Sequence, residues 1–277
     1  MSGFHLWKKQ KQYAEKNYER YDRTFLGGRG YRSIGIIGIT RVRNESMVIA
    51  DTLRHVSKFT DGIIVLDDCS TDNTVEIVKK NKNVREILLH TKWEKERLQE
   101  ETVHRQMLYT EAKKYHPQWI YYFDADERVE ADKETILSIP ETVDGIKVRL
   151  FDAYMTQGDD RSYENNDKLW NFRSYFGPEY RDILMFFRSR DTICFQGLDA
   201  REPSGCKNTI EKFYCQHYGK AMSYEQWEET CDYYAQNFPE PYRSKWQSRK
   251  GKALHVKSDF QRELKLWDEV KKHGVKI

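Results

Sequence analysis

No apolar stretch in the 277-residue chain reaches the length that crosses a bilayer, and the N-terminal "MSGFHLWKKQKQYAEKNYERYDR" has none of the apolar core of a secretory signal. Cysteine is sparse: Cys69, Cys194, Cys206, Cys215 and Cys231 form no C-x-x-C pair, and five thiols cannot close into a complete set of disulfides. The expected setting is therefore reducing and cytoplasmic. A G-x-x-x-x-G-K-[ST] phosphate loop is missing, and "GGRGYRSIG" precedes the first strand-like run instead of following it, which argues against a dinucleotide oxidoreductase. "FDADE" lacks the threonine of a D-x-D-x-T phosphatase. Nor does one sign of charge dominate: 47 Lys and Arg against 44 Asp and Glu leave a net +3, too weak a field to argue for a nucleic-acid partner. Internal repeats and low-complexity tracts are also absent.

What is present is an alternation of strand and helix signals. "SIGIIGIT" (33–40), "GIIVLDD" (62–68), "VREILLH" (84–90) and "WIYYFDADE" (119–127) are strand-length apolar runs, and helical patterns over 46–59, 73–81 and 94–115 separate them. Strands that are apolar on both faces and alternate with helices predict a mostly parallel sheet flanked by helices. Right-handed crossovers place the carboxyl ends of such strands along one edge, where ligands bind. The polar segments "TRVRNE", "DDCSTDNT", "HTKWEKE" and "DADE" all fall at that edge. Beyond Pro140, "DGIKVRLFDAYMT" and "DILMFFRSRDTICFQG" read as strands of an antiparallel or mixed region, separated by a long polar and aromatic stretch (157–181). Loops of that length are functional or disordered. Trp170, Phe172, Tyr175 and Phe176, with Arg173 and Arg181, suggest a substrate-facing flap, although core packing accounts for each aromatic taken singly. The expected organisation is a basic helical extension over 1–30, a catalytic domain over 31–222 with halves at 31–135 and 136–222, and a helical C-terminal extension over 223–277. The first thirty residues pattern as a basic amphipathic helix that is solvated, packs on the domain, or contacts a membrane surface peripherally.

Two acidic groups carry chemistry. Asp124 and Asp126 leave the fourth strand one residue apart, which suits a Mg²⁺ or Mn²⁺ ion completed by diphosphate oxygens, or else an acidic helix entry favoured by the macrodipole. In "DDCSTDNT" the Ser, Thr and Asn residues are ordinary turn and cap formers. Asp67 and Asp68 repel each other and gain nothing from capping, which suggests bonds to a ligand such as a base N–H or ribose hydroxyls.

Taken together, "RVRNE", "VLDDCSTDNTVEI" and "YYFDADERVE" resemble the family-2 inverting glycosyltransferases of the GT-A (Rossmann-like) fold, which use nucleotide-sugar donors. The resemblance is close over about 34–135 and looser to about 218. It implies that Thr40, Arg41, Asn44, Glu45, Asp67 and Asp68 hold the nucleotide. It also implies that Asp124 and Asp126 hold a divalent ion (Mn²⁺ or Mg²⁺) bridging the donor diphosphate, and that Arg105 faces the nucleotide or diphosphate unless it is a solvated helix charge. Inversion needs a carboxylate to take the acceptor proton in line. The family places it after a glycine within an E-D or H-E pair, and "FQGLDAREP" departs from both. Glu202 and Asp199 are rivals, with Glu202 preferred for its distance from Gly197 and pairing with Arg201 the alternative for each. His217 stands where relatives have a histidine reaching metal or diphosphate, or is a satisfied structural histidine. Lys220 and the "RKGK" at 249–252 are phosphate contacts or solvated charge. The implied activity is metal-dependent transfer of a sugar, from a UDP-type or other pyrimidine donor, to a glycan acceptor in surface polysaccharide, lipid-linked oligosaccharide or glycoprotein glycan synthesis. A nucleotide-sugar-binding protein with degenerate catalysis is the alternative.

Overall fold

The four apolar runs are strands in the computed structural model, which describes residues 18–27 and 34–277. A short 3-10 turn, Tyr18–Arg20, leads into β1 (Tyr21–Phe25), β2 (Ile36–Val42), α1 (Ile49–Val56), β3 (Gly62–Asp67), α2 (Thr74–Lys80), β4 (Val84–His90), α3 (Arg97–Lys113) and β5 (Trp119–Tyr122). There follow β6 (Glu127–Val129), α4 (Lys133–Leu137), β7 (Gly145–Ala153), β8 (Tyr175–Arg188) and β9 (Thr209–His217). The described chain closes with α5 (Tyr224–Asn237), α6 (Tyr242–Gln247), β10 (Lys265–Leu266), α7 (Trp267–His273) and β11 (Val275–Lys276). Two compact units share these elements. The first holds the described residues up to Ala125, Ala131–Lys147 and Leu184–Glu211; the second holds Asp126–Glu130, Val148–Ile183 and Lys212–Ile277.

In the first unit the strand order is β1-β4-β3-β2-β5-β8. β2 pairs in parallel with β3 and β5, and β3 with β4, whereas β1 and β8 join antiparallel. Every residue of β3 is buried, as a strand covered on both faces requires. Ile37, Ile39, Ile64, Leu66, Leu88 and Ile120 pack with Met107, Leu108 and Ala112 of α3. Val42 lies opposite Asp67, and Asp67 opposite Leu89, so the parallel strands end level and their polar tips emerge at one edge.

Residues 1–17 and 28–30 of the expected N-terminal helical extension lie outside the described residues. Residues 21–25, which that reading also made helical, are extended and pair with β4. The reason is ionic: Arg23 meets Glu86, 1% exposed, and Glu111, 0% exposed, while Arg20 meets Glu100. Charges that read as a solvated helix face are instead the partners of buried carboxylates.

In the second unit β6 pairs antiparallel with β9, and β10 and β11 pair with β8. β8 begins seven residues earlier than the sequence run that predicts it and absorbs the end of the expected flap. Phe176 is fully buried against Tyr218 and Trp267, and Trp170 also meets Trp267. Arg173 is buried and donates to the carbonyls of Ala221, Met222 and Arg161. These side chains staple the loop to its own unit and are not a solvent-facing sugar platform. The C-terminal segment is helical in α5, α6 and α7, but 249–264 between the last two is loop, held in place by backbone hydrogen bonds. Ser223 caps α5 by accepting from the Gln226 amide, 3.1 Å away.

Candidate active site

At the strand edge of the first unit, the loops after β2 and β3 are knitted together. The Asn44 amide donates to the Ser70 hydroxyl at 2.9 Å, Asn44 Oδ1 accepts from the Thr71 amide at 2.8 Å, and the Glu45 amide donates to Thr74 Oγ1 at 2.8 Å. Asn44 sits at φ +53°, a left-handed position that asparagine tolerates. Thr40 is fully buried in β2, with its hydroxyl facing the Arg41 carbonyl at 3.4 Å. The nucleotide residues expected from the resemblance are thus neighbours, but two of them are structural latches.

The acidic pair divides. Asp68 accepts from His90 at 3.0 Å and from Arg41 at 3.2 Å, and Arg97 closes on the same carboxylate. Burial works to raise its pKa, but the His90 hydrogen bond and the charges of Arg41 and Arg97 hold it well below the usual carboxylate range. The expectation that both aspartates need a ligand therefore fails for Asp68, which the protein itself satisfies. Asp67 differs. Its Oδ1 accepts from the Ser70 amide at 3.0 Å, while its buried Oδ2 has no hydrogen-bond partner among the described residues. Burial raises its pKa; the Ser70 bonds oppose, and Asp68 and Asp72 add to the rise. A carboxylate oxygen buried without a partner at a strand tip is costly, and a hydroxyl or N–H donor would relieve that cost.

Beside this pair lies a second network. Arg105 is buried, not solvated: its Nε donates to the Tyr122 hydroxyl at 3.1 Å, it pairs with Glu101 at 3.0 Å and it stands 3.6 Å from Asp199. Tyr122 donates to Asp124 at 3.1 Å, and Arg201 meets the other Asp124 oxygen at 3.2 Å. Burial raises the Asp124 pKa, but Arg201 and then Arg105 bring it below the ordinary value. Arg201 thus pairs with Asp124, where the sequence suggested a link to Glu202 or Asp199. Asp199 is raised, by burial first and then by Glu101, with Arg105 opposing. Glu202 is exposed and accepts from the Leu184 amide at 3.0 Å.

Two triads in this unit, Asp68–Cys69–His90 and His90–Glu100–His104, bring metal-capable atoms within 4.8 Å of one another. Guanidinium groups already supply the positive charge there, Arg97 on Asp68 and Arg20 on Glu100 and His90.

The second unit carries its own cluster. His217 Nε2 lies 3.4 Å from Asp126 Oδ2, and its Nδ1 lies 2.6 Å from Asp152 Oδ1. Asp152 is held in turn by Arg181 at 3.0 Å and Lys220 at 3.2 Å, and Lys220 reaches Asp259 at 2.6 Å. Burial pushes the imidazole down, but Asp126 and then Asp152 raise it to about 10. Burial raises Asp152, but Lys220 and then His217 outweigh it and hold the carboxyl well below its ordinary value. The donor set fits a divalent ion: bonds of about 2.1 Å in octahedral geometry put neighbouring donors about 3 Å apart, near the Asp126–His217 separation. Gly219 keeps the place open, because a Cβ there would come within 2.9 Å of both Asp126 Oδ2 and His217 Nε2. Asp152 escaped the sequence reading; its signal was a lone carboxylate inside the apolar strand "VRLFDAYM".

Parallel strands ending level in a carboxylate-bearing edge, with helices between them, define an α/β protein of the GT-A type. The model of Glycosyl transferase family 2 matches residues 39–195, more than half of the chain, and the chain belongs to that family. It is similar to an uncharacterized protein of Mycobacterium bovis and another of Mycobacterium tuberculosis, each 33% identical over 134 residues, 46% of this chain and 32% of theirs. The chain thus spans about a third of the length of these curated relatives. Among solved structures it is similar to S. aureus TarS in complex with UDP, at 12% identity over 78% of this chain and 71% of that one, with a TM-score of 0.40. It is also similar to glucosyl-3-phosphoglycerate synthase from Mycobacterium tuberculosis in complex with Mn²⁺, UDP and glucosyl-3-phosphoglycerate, at 17% identity over 42% and 44% of the two chains, with a TM-score of 0.30. No helix among the described residues is long and apolar enough to cross a membrane.

Proposed function

We propose that the protein is a metal-dependent inverting glycosyltransferase that moves a sugar from a UDP-type or other pyrimidine nucleotide donor to a glycan acceptor in the cytoplasm. Membership of the family carries this reading, and the open Asp67 oxygen and the Asp126–His217–Gly219 cradle support it. Asp67 accepts a hydrogen bond from the nucleoside, while Arg41, Asn44, Glu45 and Asp68 fix the loops that position Asp67. Asp126 and His217 hold the divalent ion, Asp124 is the first carboxylate of the same D-x-D, and Arg105 orients Asp124 through Tyr122. When bound, the ion supplies positive charge to the leaving diphosphate.

Asp152 is a positioning residue. Its carboxylate takes the Nδ1–H of His217 and so leaves Nε2 as the atom available to a metal. Asp199 is the stronger candidate for the base, because burial and Glu101 raise its proton affinity and favour uptake of the acceptor proton. Glu202, preferred in the sequence reading, spends one oxygen on a backbone amide. The residues over 31–135 serve the donor and, apart from Asp152 and His217, those over 136–222 the acceptor. A panel of nucleotide sugars, assayed for hydrolysis and transfer with Mn²⁺, with Mg²⁺ and in excess chelator, tests the proposal. Turnover of none of them under any condition leaves a nucleotide-sugar-binding protein.

A further inference from the structure

We infer that the loop after α6 in the second unit docks on a bilayer surface bearing anionic headgroups. Residues 249–264, "RKGKALHVKSDFQREL", hold five bases and two acids. They also hold three of the large apolar residues the described chain leaves exposed: Val256 at 90%, Phe260 at 55% and Leu254 at 40%. Leu254 and Val256 line one depression with Trp227, Arg249, Lys252, Lys257 and Asp259, so apolar and basic groups share a face.

This exposure is not looseness. The His255 amide donates to the Met155 carbonyl at 2.9 Å, the Ser258 amide to the Arg262 carbonyl at 2.9 Å, and the Asp259 amide to the Tyr154 hydroxyl at 3.0 Å. Lys220 and Arg249 both clamp Asp259, and the loop's other acid, Glu263, pairs with Lys265 at 2.9 Å. Arg249 and Lys250 are consumed by Asp259 and Asp232. Lys252 reaches only the Ser248 carbonyl, and Lys257 has no ion-pair partner among the described residues. The two lysines that flank Leu254 and Val256 therefore keep their charge for an external partner. A rigid loop that holds apolar side chains outward between uncompensated cations matches the interfacial zone of an anionic membrane, where alkyl groups enter the headgroup boundary and lysines stay at the phosphates. A small soluble anion would satisfy the lysines but gain nothing from Val256.

Co-sedimentation of the full chain with vesicles of phosphatidylcholine alone, and of phosphatidylcholine mixed with phosphatidylglycerol, tests the inference without any assay of activity. The wild type is expected to pellet with the mixed vesicles and not with the neutral ones, and to be released by salt. Lys252→Ala with Lys257→Ala is expected to weaken partitioning about 25-fold, at roughly fivefold per charge. Val256→Asp with Phe260→Asp, both at exposed positions, is expected to abolish it while leaving the thermal melt unchanged. The inference is overturned if the wild type ignores anionic vesicles, binds neutral ones equally well, or keeps its binding in both double variants.

Discussion

Replacing Asp152 isolates the proposed metal-holding role of His217 from catalysis. In the folded chain the Asp152 carboxylate is 2.6 Å from Nδ1 of His217 and also takes Arg181 and Lys220. Asp152→Ala removes the acceptor that fixes the ring's tautomer and orientation, and leaves two cations without that counter-charge near an incoming ion. Loss of such an outer partner costs about 10- to 100-fold in metal affinity. Because the charge effect adds to the lost orientation, Asp152→Ala is expected near 100-fold, about 2.7 kcal/mol. Asp152→Asn keeps an acceptor oxygen for Nδ1–H and is expected near tenfold. Titration of Mn²⁺ followed by loss of the free-ion resonance reads this directly, with no donor or acceptor present. Wild-type affinity in Asp152→Ala would refute the positioning role, whereas a wild-type protein that takes up no Mn²⁺ would refute the metal assignment itself.

The two base candidates separate kinetically: Asp199→Asn is expected to keep donor binding and lose transfer by about 10²- to 10⁴-fold, while Glu202→Gln stays within about tenfold of wild type. The opposite pattern would return the role to Glu202. Asp67→Asn is expected to weaken nucleoside diphosphate binding about tenfold with little change in the denaturation midpoint. Asp68→Asn, which strands Arg97 and Arg41, is expected to cost stability of about 3–5 kcal/mol. Calorimetry and urea melts on the pair distinguish the two. Acid should destabilise the fold through His104, whose pKa is well below its ordinary value because burial opposes its charge. The unfolded chain then binds a proton that the folded chain refuses, so stability falls as pH drops below about 6.5, by at most about 1.4 kcal/mol per unit. The urea midpoint of His104→Leu should fall less steeply toward acid than that of wild type, and parallel pH slopes would exclude His104 as the cause.

The parallel core was legible because burial on both faces leaves continuous β-branched runs, as in Ile63–Leu66 and Ile36–Ile39. β1 was hidden because "YDRTF" is stabilised by ion pairs with Glu86 and Glu111, and charge patterns do not reveal which charges are buried. α3 was found as a helix, yet Glu100, Glu101, Arg105 and Glu111 lie inside, since they pair with Arg20, Arg41, Asp199 and Arg23, and His104 is buried uncharged among them. β9 went unseen because its burial does not alternate and Phe213, at φ +73°, interrupts the two-residue period. At the site, D-x-D, His217 and the acidic pair were readable as residue types. That Asp68 is internally paired while Asp67 keeps an open oxygen depends on Arg97 and His90, more than twenty residues away, and no local pattern encodes it.

The affinity of UDP, measured by calorimetry with Mn²⁺ and again in excess chelator, tests the account most directly. The proposed ion site at Asp126 and His217 predicts binding with the metal, and a steep loss of affinity without it that Asp126→Ala reproduces in the presence of metal. Equal affinity with and without metal in the wild type would contradict the role given to Asp126 and His217.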